Sequence, residues 1–204
     1  ISSWRRLDYN SFGDGDGGNP TTNALNIRGD QIEETSFGSQ ELRLSALPGS
    51  RLGWVVGAYY FRADTDRSDI FRLDSPPQPS GTFGAIDRYD QSNITESVAA
   101  FADATWAATD RFNIFGGLRW SKDEKDYDVS NAASTALLRA RERFTISASD
   151  SWDELTYRVG GDYQLADHVM AYGVISSGFK SGGFQDTAAT GVSASFAPAA
   201  QKVI

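Results

Sequence analysis

The sequence predicts an all-β fold, a segment of an antiparallel up-and-down transmembrane β-barrel with about seven long strands. Three observations carry this expectation. Apolar and polar residues alternate with a period of two along several stretches, as they do in strands with one wet face. Short turns alternate with long, polar loops rich in Gly, Pro and Asp. The apolar faces also carry many small residues, which would pack loosely in a soluble β-sandwich core but which lipid chains can follow. Composition agrees, since Gly 20, Trp 5, Tyr 8 and Phe 12 against a single Met in 204 residues is a β-rich profile.

Taken in order, residues 1–9 read as the tail of a strand and residues 10–20, rich in glycine, as a loop. Asp14-Gly15-Asp16-Gly17-Gly18 suggests calcium, but the closing glutamate of an EF-hand would fall at Leu25, so a solvated loop is the better reading. In residues 40–47, Leu42 and Leu44 alternate with Glu41, Arg43 and Ser45. Pro48-Gly49-Ser50 is a tight turn, and the chain returns with Leu52, Trp54, Val56, Ala58 and Tyr60 on one face and Arg51, Gly53, Gly57 and Tyr59 on the other. Residues 66–90, charged and punctuated by Pro76, Pro77 and Pro79, are expected to form a long loop.

The hairpin then recurs. Ile94, Glu96, Val98, Ala100, Ala102, Ala104 and Trp106 alternate with Thr95, Ser97, Ala99, Phe101, Asp103 and Thr105. After Ala108-Thr109-Asp110, residues 111–121 place Phe112, Ile114, Gly116, Leu118 and Trp120 opposite Arg111, Asn113, Gly117 and Arg119. Residues 122–128 are a charge run expected to be solvated, and residues 131–143 hold the only plausible helix, a short one in a loop. A third hairpin sets Leu155, Tyr157, Val159, Gly161, Tyr163 and Leu165 against Glu154, Thr156, Arg158, Asp162 and Gln164, turns at Ala166-Asp167-His168 and climbs into residues 172–184. The run Ser177-Gly178-Phe179-Lys180-Ser181-Gly182-Gly183-Phe184 has too many glycines for a strand interior. It is expected to open into a loop through a bend, with Phe179 and Phe184 anchored near the outer membrane interface. Gly182→Val and Gly183→Val are expected to impair barrel assembly.

Composition also excludes. A mean hydropathy of -0.41 and the lack of any run near the ~18 apolar residues of a spanning helix argue against a helical membrane protein, yet a barrel keeps average hydropathy low because alternate residues face a wet interior. With no cysteine there is no disulfide, thiolate metal site or cysteine nucleophile, and no cofactor is expected. A net charge of -8 speaks against nucleic-acid binding. The chain opens on Ile1 without a charged and apolar leader, which reads as an internal fragment. Trp106 and Phe112 flank one short turn and Tyr163 lies near another, where an aromatic girdle would sit at the headgroup level. In bacterial outer-membrane barrels such short turns are periplasmic and the long loops extracellular.

Several runs, in order, resemble the TonB-dependent outer-membrane receptors: Ser39-Gln40-Glu41-Leu42-Arg43-Leu44, residues 53–61 from Gly53-Trp54 to Tyr60-Phe61, Ala100-Phe101-Ala102-Asp103-Ala104-Thr105-Trp106, Thr109-Asp110-Arg111-Phe112 continuing to Gly117-Leu118-Arg119-Trp120, and the run ending Ser181-Gly182-Gly183-Phe184. The resemblance implies that residues 1–204 are part of a receptor barrel domain, without the plug domain and the barrel C-terminus. It implies energy-coupled uptake of a scarce ligand, most often a ferric siderophore, with TonB engaged through the absent N-terminal region. It also implies a place in the bacterial outer membrane, among lipid and lipopolysaccharide. The alternative is a soluble or surface β-sheet module binding glycans on its aromatics. Seven strands alone would leave two open edges, so the piece is expected to aggregate in water.

Candidate chemistry is sparse. His168 beside Asp167 lacks a nucleophile elbow or a metal-ligand cluster, so catalysis is not expected, and Asn93-Ile94-Thr95 reads as a chance glycosylation motif. Arg43, Arg119 and Arg158 share the wet face. They are expected to pair with Glu41, Asp103 or Glu154, the other reading being that they steer an anionic ligand. Acidic Asp123, Glu124, Asp126 and Asp128 are candidates to bridge divalent cations to lipopolysaccharide phosphate. Ligand-contacting residues are not readable from the pattern.

Overall fold

A computed structural model describes residues 2–14, 27–73, 85–131, 145–184, 195–196 and 199–203. Seven long strands follow one another: β1 (Ser2–Asp14), β2 (Ile27–Ser45), β3 (Leu52–Leu73), β4 (Ala85–Ala107), β5 (Phe112–Asn131), β6 (Thr145–Ala166) and β7 (Val169–Lys180). Three short pieces complete the set, β8 (Gly183–Phe184), β9 (Ser195–Phe196) and β10 (Ala199–Val203). Each long strand pairs antiparallel with the next, giving an up-and-down sheet in the order β1-β2-β3-β4-β5-β6-β7-β10, while β8 pairs with β9. No helix occurs among the described residues.

The three short turns fall where the breakers place them. Gly49 takes a φ of 92°, a backbone state that a side chain would oppose, and lets Ala46 N–H reach the Trp54 carbonyl at 2.9 Å across the base of the β2–β3 hairpin. At the β4–β5 turn the Thr109 hydroxyl accepts from the Arg111 N–H at 3.2 Å. At the β6–β7 turn Gln164 Nε2 donates to the Ala166 carbonyl at 2.8 Å, beside a one-residue register shift between Gln164 and Ala166.

Register lines the predicted faces up across strands. One row runs Leu42, Ala58, Ala100, Trp120, Leu155 and the next Leu44, Val56, Ala102, Leu118, Tyr157. This apolar face is open, with Leu42 69% and Leu118 55% exposed, and the small Ala58, Ala102, Ala104 and Gly116 keep it low. Residues 52–60 of β3, at about 3.3 Å per residue and a tilt of about 45°, rise about 20 Å, a hydrocarbon-sized band. Aromatics close it at both ends. Trp106 and the tilted pair Phe112 and Tyr163 (6.3 Å) mark the short-turn end. At the other end the Tyr60 hydroxyl donates to Glu96 at 3.0 Å and Trp120 Nε1 to Asp153 at 3.4 Å. Rings in the band with polar tips on carboxylates show which way is wet.

Beyond these aromatics the sheet continues, which corrects the loop expected over residues 66–90 and gives the solvated charge run its element. Residues 66–73 and 85–90 belong to β3 and β4 rather than to a loop, and the charge run 122–128 lies within β5. The 22 residues of β3 would rise about 50 Å at the same tilt, so more than half of the strand stands beyond the band. Charge does not break the ladder there because the outward face is polar, and same-face partners two residues apart neutralise one another: Arg62 with Asp64 at 3.0 Å, Arg88 with Asp90 at 2.8 Å, and Lys122 with Glu124. Likewise β1 runs on through Asp14 where a loop is expected from residue 10. The remainder of that loop, with Asp16 and Gly17 of the calcium-like run, and the helix expected at 131–143, apart from Asn131 at the end of β5, lie outside the described residues.

Candidate inner-face site

The other side of the sheet carries the functional side chains, in two tiers. The lower tier lies behind the apolar band. Register places Arg43, Gly57, Phe101, Arg119 and Thr156 in one row, with Tyr59 and Glu41 in the row above. A Cβ on Gly57 would collide with the Phe101 ring, so this glycine is the bed on which the ring crosses β3 toward β2. The ring then meets the Arg43 guanidinium at 5.9 Å and that of Arg119 at 5.8 Å, while Arg119 also lies 5.7 Å from the Tyr59 ring. The device recurs twice. Asp103 crosses Gly117 to reach Arg158 at 2.7 Å, and the Phe115 ring crosses Gly160 with Arg158 at 5.7 Å.

The expected pairing of the three arginines therefore holds for two of them. Arg43 pairs with Glu41 and Arg158 with Asp103, whereas Glu154 takes neither. Arg119 donates to the Ser121 hydroxyl at 3.0 Å and stacks on two rings, but has no carboxylate within ion-pair distance among the described residues. It is the guanidinium on this tier with charge to spare.

The upper tier stands above the band and was not legible as a site. Arg67 pairs with Asp69 at 2.9 Å, Gln91 Nε2 donates to Asp69 at 3.1 Å, and the Tyr127 hydroxyl reaches Gln91 Oε1 at 3.4 Å, a chain crossing β3, β4 and β5. Asp69, Gln91, Tyr127, Val129, Asn131 and Trp152 are all buried, and with Ala99 nearer the band they are the buried part of a mostly open wall. Burial by itself costs polar groups their hydration, and the shared bonds offset it. Beside this chain, residues 181–184 cross the inner face. Phe184 stacks on Tyr127 with centroids 5.6 Å apart and rings 14° from parallel, and meets Trp152 at 6.2 Å. Lys125 Nζ donates to the Gly182 carbonyl at 2.7 Å with its ammonium 5.7 Å from the Trp152 ring. Burial pushes this ammonium below the ordinary lysine range, with the Asp123 carboxylate opposing and Lys180 reinforcing the shift.

Two placements correct the sequence reading. Phe179 and Phe184 do not anchor at the outer interface: Phe184 packs on the inner wall, and Phe179 lines an inner cleft with Tyr59, Phe61, Arg119 and Asp123. β7 peels from β6 after the pair Arg158 and Ser176, where the Tyr157 N–H turns to the Ser177 hydroxyl at 2.9 Å. The acidic run also splits between faces, since a strand alternates: Glu124, Asp126 and Asp128 point outward with the exposed charges and Asp123 inward. His168 is exposed in a two-residue turn, and no group of three or more potential metal ligands occurs among the described residues. Asn93 sits inside β4, with its Oδ1 buried, and is no surface acceptor for a glycan.

A tall antiparallel wall with a lipid-sized apolar face between two aromatic rows, backed by a charged and aromatic inner face, is the wall of an outer-membrane type β-barrel. Residues 2–202 match the family described as "TonB dependent receptor-like, beta-barrel", and the chain belongs to it. The pesticin receptor of Yersinia enterocolitica is 26% identical over 156 residues, covering 76% of this chain and 21% of that receptor. The rhizobactin receptor of Rhizobium meliloti is 30% identical over 126 residues, covering 57% and 17%. Among solved structures, the ferric yersiniabactin uptake receptor of Yersinia pestis superposes with a TM-score of 0.74 at 21% identity, covering 97% of this chain and 28% of that one, which shows the shared fold. The chain spans about a fifth of the length of the curated relatives it matches.

Proposed function

We infer that the chain is a segment of the barrel domain of an outer-membrane receptor that takes up a ferric-siderophore complex, coupled to TonB through a part of the receptor outside this sequence. The carrying observation is the two-tiered inner face: arginines and aromatics at the level of the membrane, and a buried polar and aromatic cluster above it, on a wall whose outer face suits lipid. Family membership and relatives named for pesticin and rhizobactin support the reading. In it Arg119, free of a carboxylate among the described residues, draws an anionic complex inward, while Arg43 and Arg158 serve the wall. The reading makes the protein a transporter and not an enzyme. Glu124, Asp126 and Asp128 then face lipopolysaccharide, through divalent cations.

The test is uptake by the full-length receptor in iron-starved bacteria stripped of their own ferric-complex receptors. Radioiron uptake from one siderophore class, lost on deleting the TonB system, is the expected result. Absence of uptake from every class, with glycan binding in its place, overturns the reading.

A further inference from the structure

We propose that residues 181–184 form a removable strap, a built-in occupant of an inner-face recess that accepts a planar, ring-bearing anion when the strap lifts. The recess has two functional parts, an aromatic corner made by Tyr127 and Trp152 and an ammonium from Lys125. The strap satisfies both at once. Phe184 supplies a ring stacked at 5.6 Å on Tyr127, and the Gly182 carbonyl supplies an oxygen 2.7 Å from Lys125 Nζ. A ring with an attached carboxylate or phenolate oxygen presents the same two features in one molecule, and its charge answers the ammonium better than a neutral carbonyl does.

The strap is also the part of this wall built to leave. β7 stops pairing with β6 at Ser176 and is held from there to Lys180 by β10 alone, while residues 181–184 leave the main sheet, where the backbone pairing of Gly183 and Phe184 among the described residues is limited to the two-residue strand β9. Gly182 and Gly183 supply backbone freedom within the crossing. Tyr127 and Trp152, by contrast, stand on β5 and β6, which are paired along their full upper halves. A rigid recess under a loosely tied lid gives competition between strap and ligand.

The proposal rests on the reading that the inner face lines the ligand route, and salicylate serves as the probe. In the full-length receptor in detergent, salicylate binding is followed by titration calorimetry and strap opening by hydrogen exchange of residues 181–184. Wild type is expected to bind salicylate weakly, with faster exchange in the strap when bound. Phe184→Ala empties the recess and is expected to tighten salicylate about tenfold, as removal of a self-occupied state does. Phe184→Leu, which keeps the bulk and so guards against misfolding, falls between, and Trp152→Ala loses binding. Unchanged salicylate affinity in both Phe184 variants, or strap exchange indifferent to salicylate, overturns the proposal. Failure of the uptake reading is separate: it shows as absent radioiron uptake in wild type and does not move these two readouts.

Discussion

Along β5, residues 112–120 and residues 121–131 share one pleated backbone and one antiparallel ladder, yet their side chains follow different rules. In the lower half one face is apolar and open, with Ile114, Leu118 and Trp120 exposed on it, while the other holds Arg119 among rings. In the upper half the outward face is Glu124, Asp126 and Asp128, and the inward face goes from Lys125 to buried Tyr127 and Val129. The lower half is thus inside out relative to a soluble protein, and the upper half is nearly conventional, with water outside and a small core within. The boundary runs through Tyr60 and Trp120, on adjacent register rows, whose polar tips touch carboxylates on the wet side.

That difference predicts opposite tolerances. The largest effect is expected for Ala102→Arg, at mid-band on the outer face, which should cost about 2–4 kcal/mol in urea unfolding from bilayers. The matched change Asp126→Arg on the upper outward face should cost about 0–0.5 kcal/mol, as an ordinary surface substitution does. Equal costs would erase the boundary. Next is Gly57→Val, which drives a side chain into Phe101 and the Leu42 carbonyl and should cost about 1–3 kcal/mol by overpacking. Adding Phe101→Ala should recover part of it, and strict additivity of the two changes would show that ring and glycine are not coupled. Smallest in stability and largest in function is Arg119→Ala. Assembly should be unchanged, while the association rate for an anionic ferric complex falls and loses its salt dependence. An unaltered rate with a destabilised barrel would make Arg119 a wall residue like Arg158.

The same boundary explains how far the sequence could be read. Hairpins, short turns and the lipid-facing rows were legible because Leu42, Val56, Ala102 and Leu118 alternate cleanly with polar neighbours, and a one-residue slip would turn each inward. Above the band the outer face needs no apolar residues, so the contrast vanishes, residues 66–73 look like loop and residues 122–128 like a bare solvated charge run. The missed signal is fainter: Lys125, Tyr127 and Val129 still alternate with Glu124, Asp126 and Asp128. The inner cluster itself was out of reach. It joins Asp69, Gln91, Tyr127, Trp152 and Phe184 from four strands and a strap, and only the register and the inward turn after Lys180 bring them together. The arginine rows were readable as a face, but not their division into two paired guanidiniums and one stacked between rings.

The account stands on the claim that one strand passes from lipid into water at the aromatic row. The chain has no cysteine, so single cysteines for spin labels can be placed along β4 without background from it. In the receptor reconstituted in bilayers, labels at Ala100, Ala102 and Ala104 should be accessible to oxygen and shielded from a polar nickel reagent, and labels at Ser92 and Ile94 should show the reverse. Phe101 and Asp103 should not follow the lipid-facing pattern of their neighbours. Nickel access at Ala102, or no change in access between Ala102 and Ser92, would contradict it.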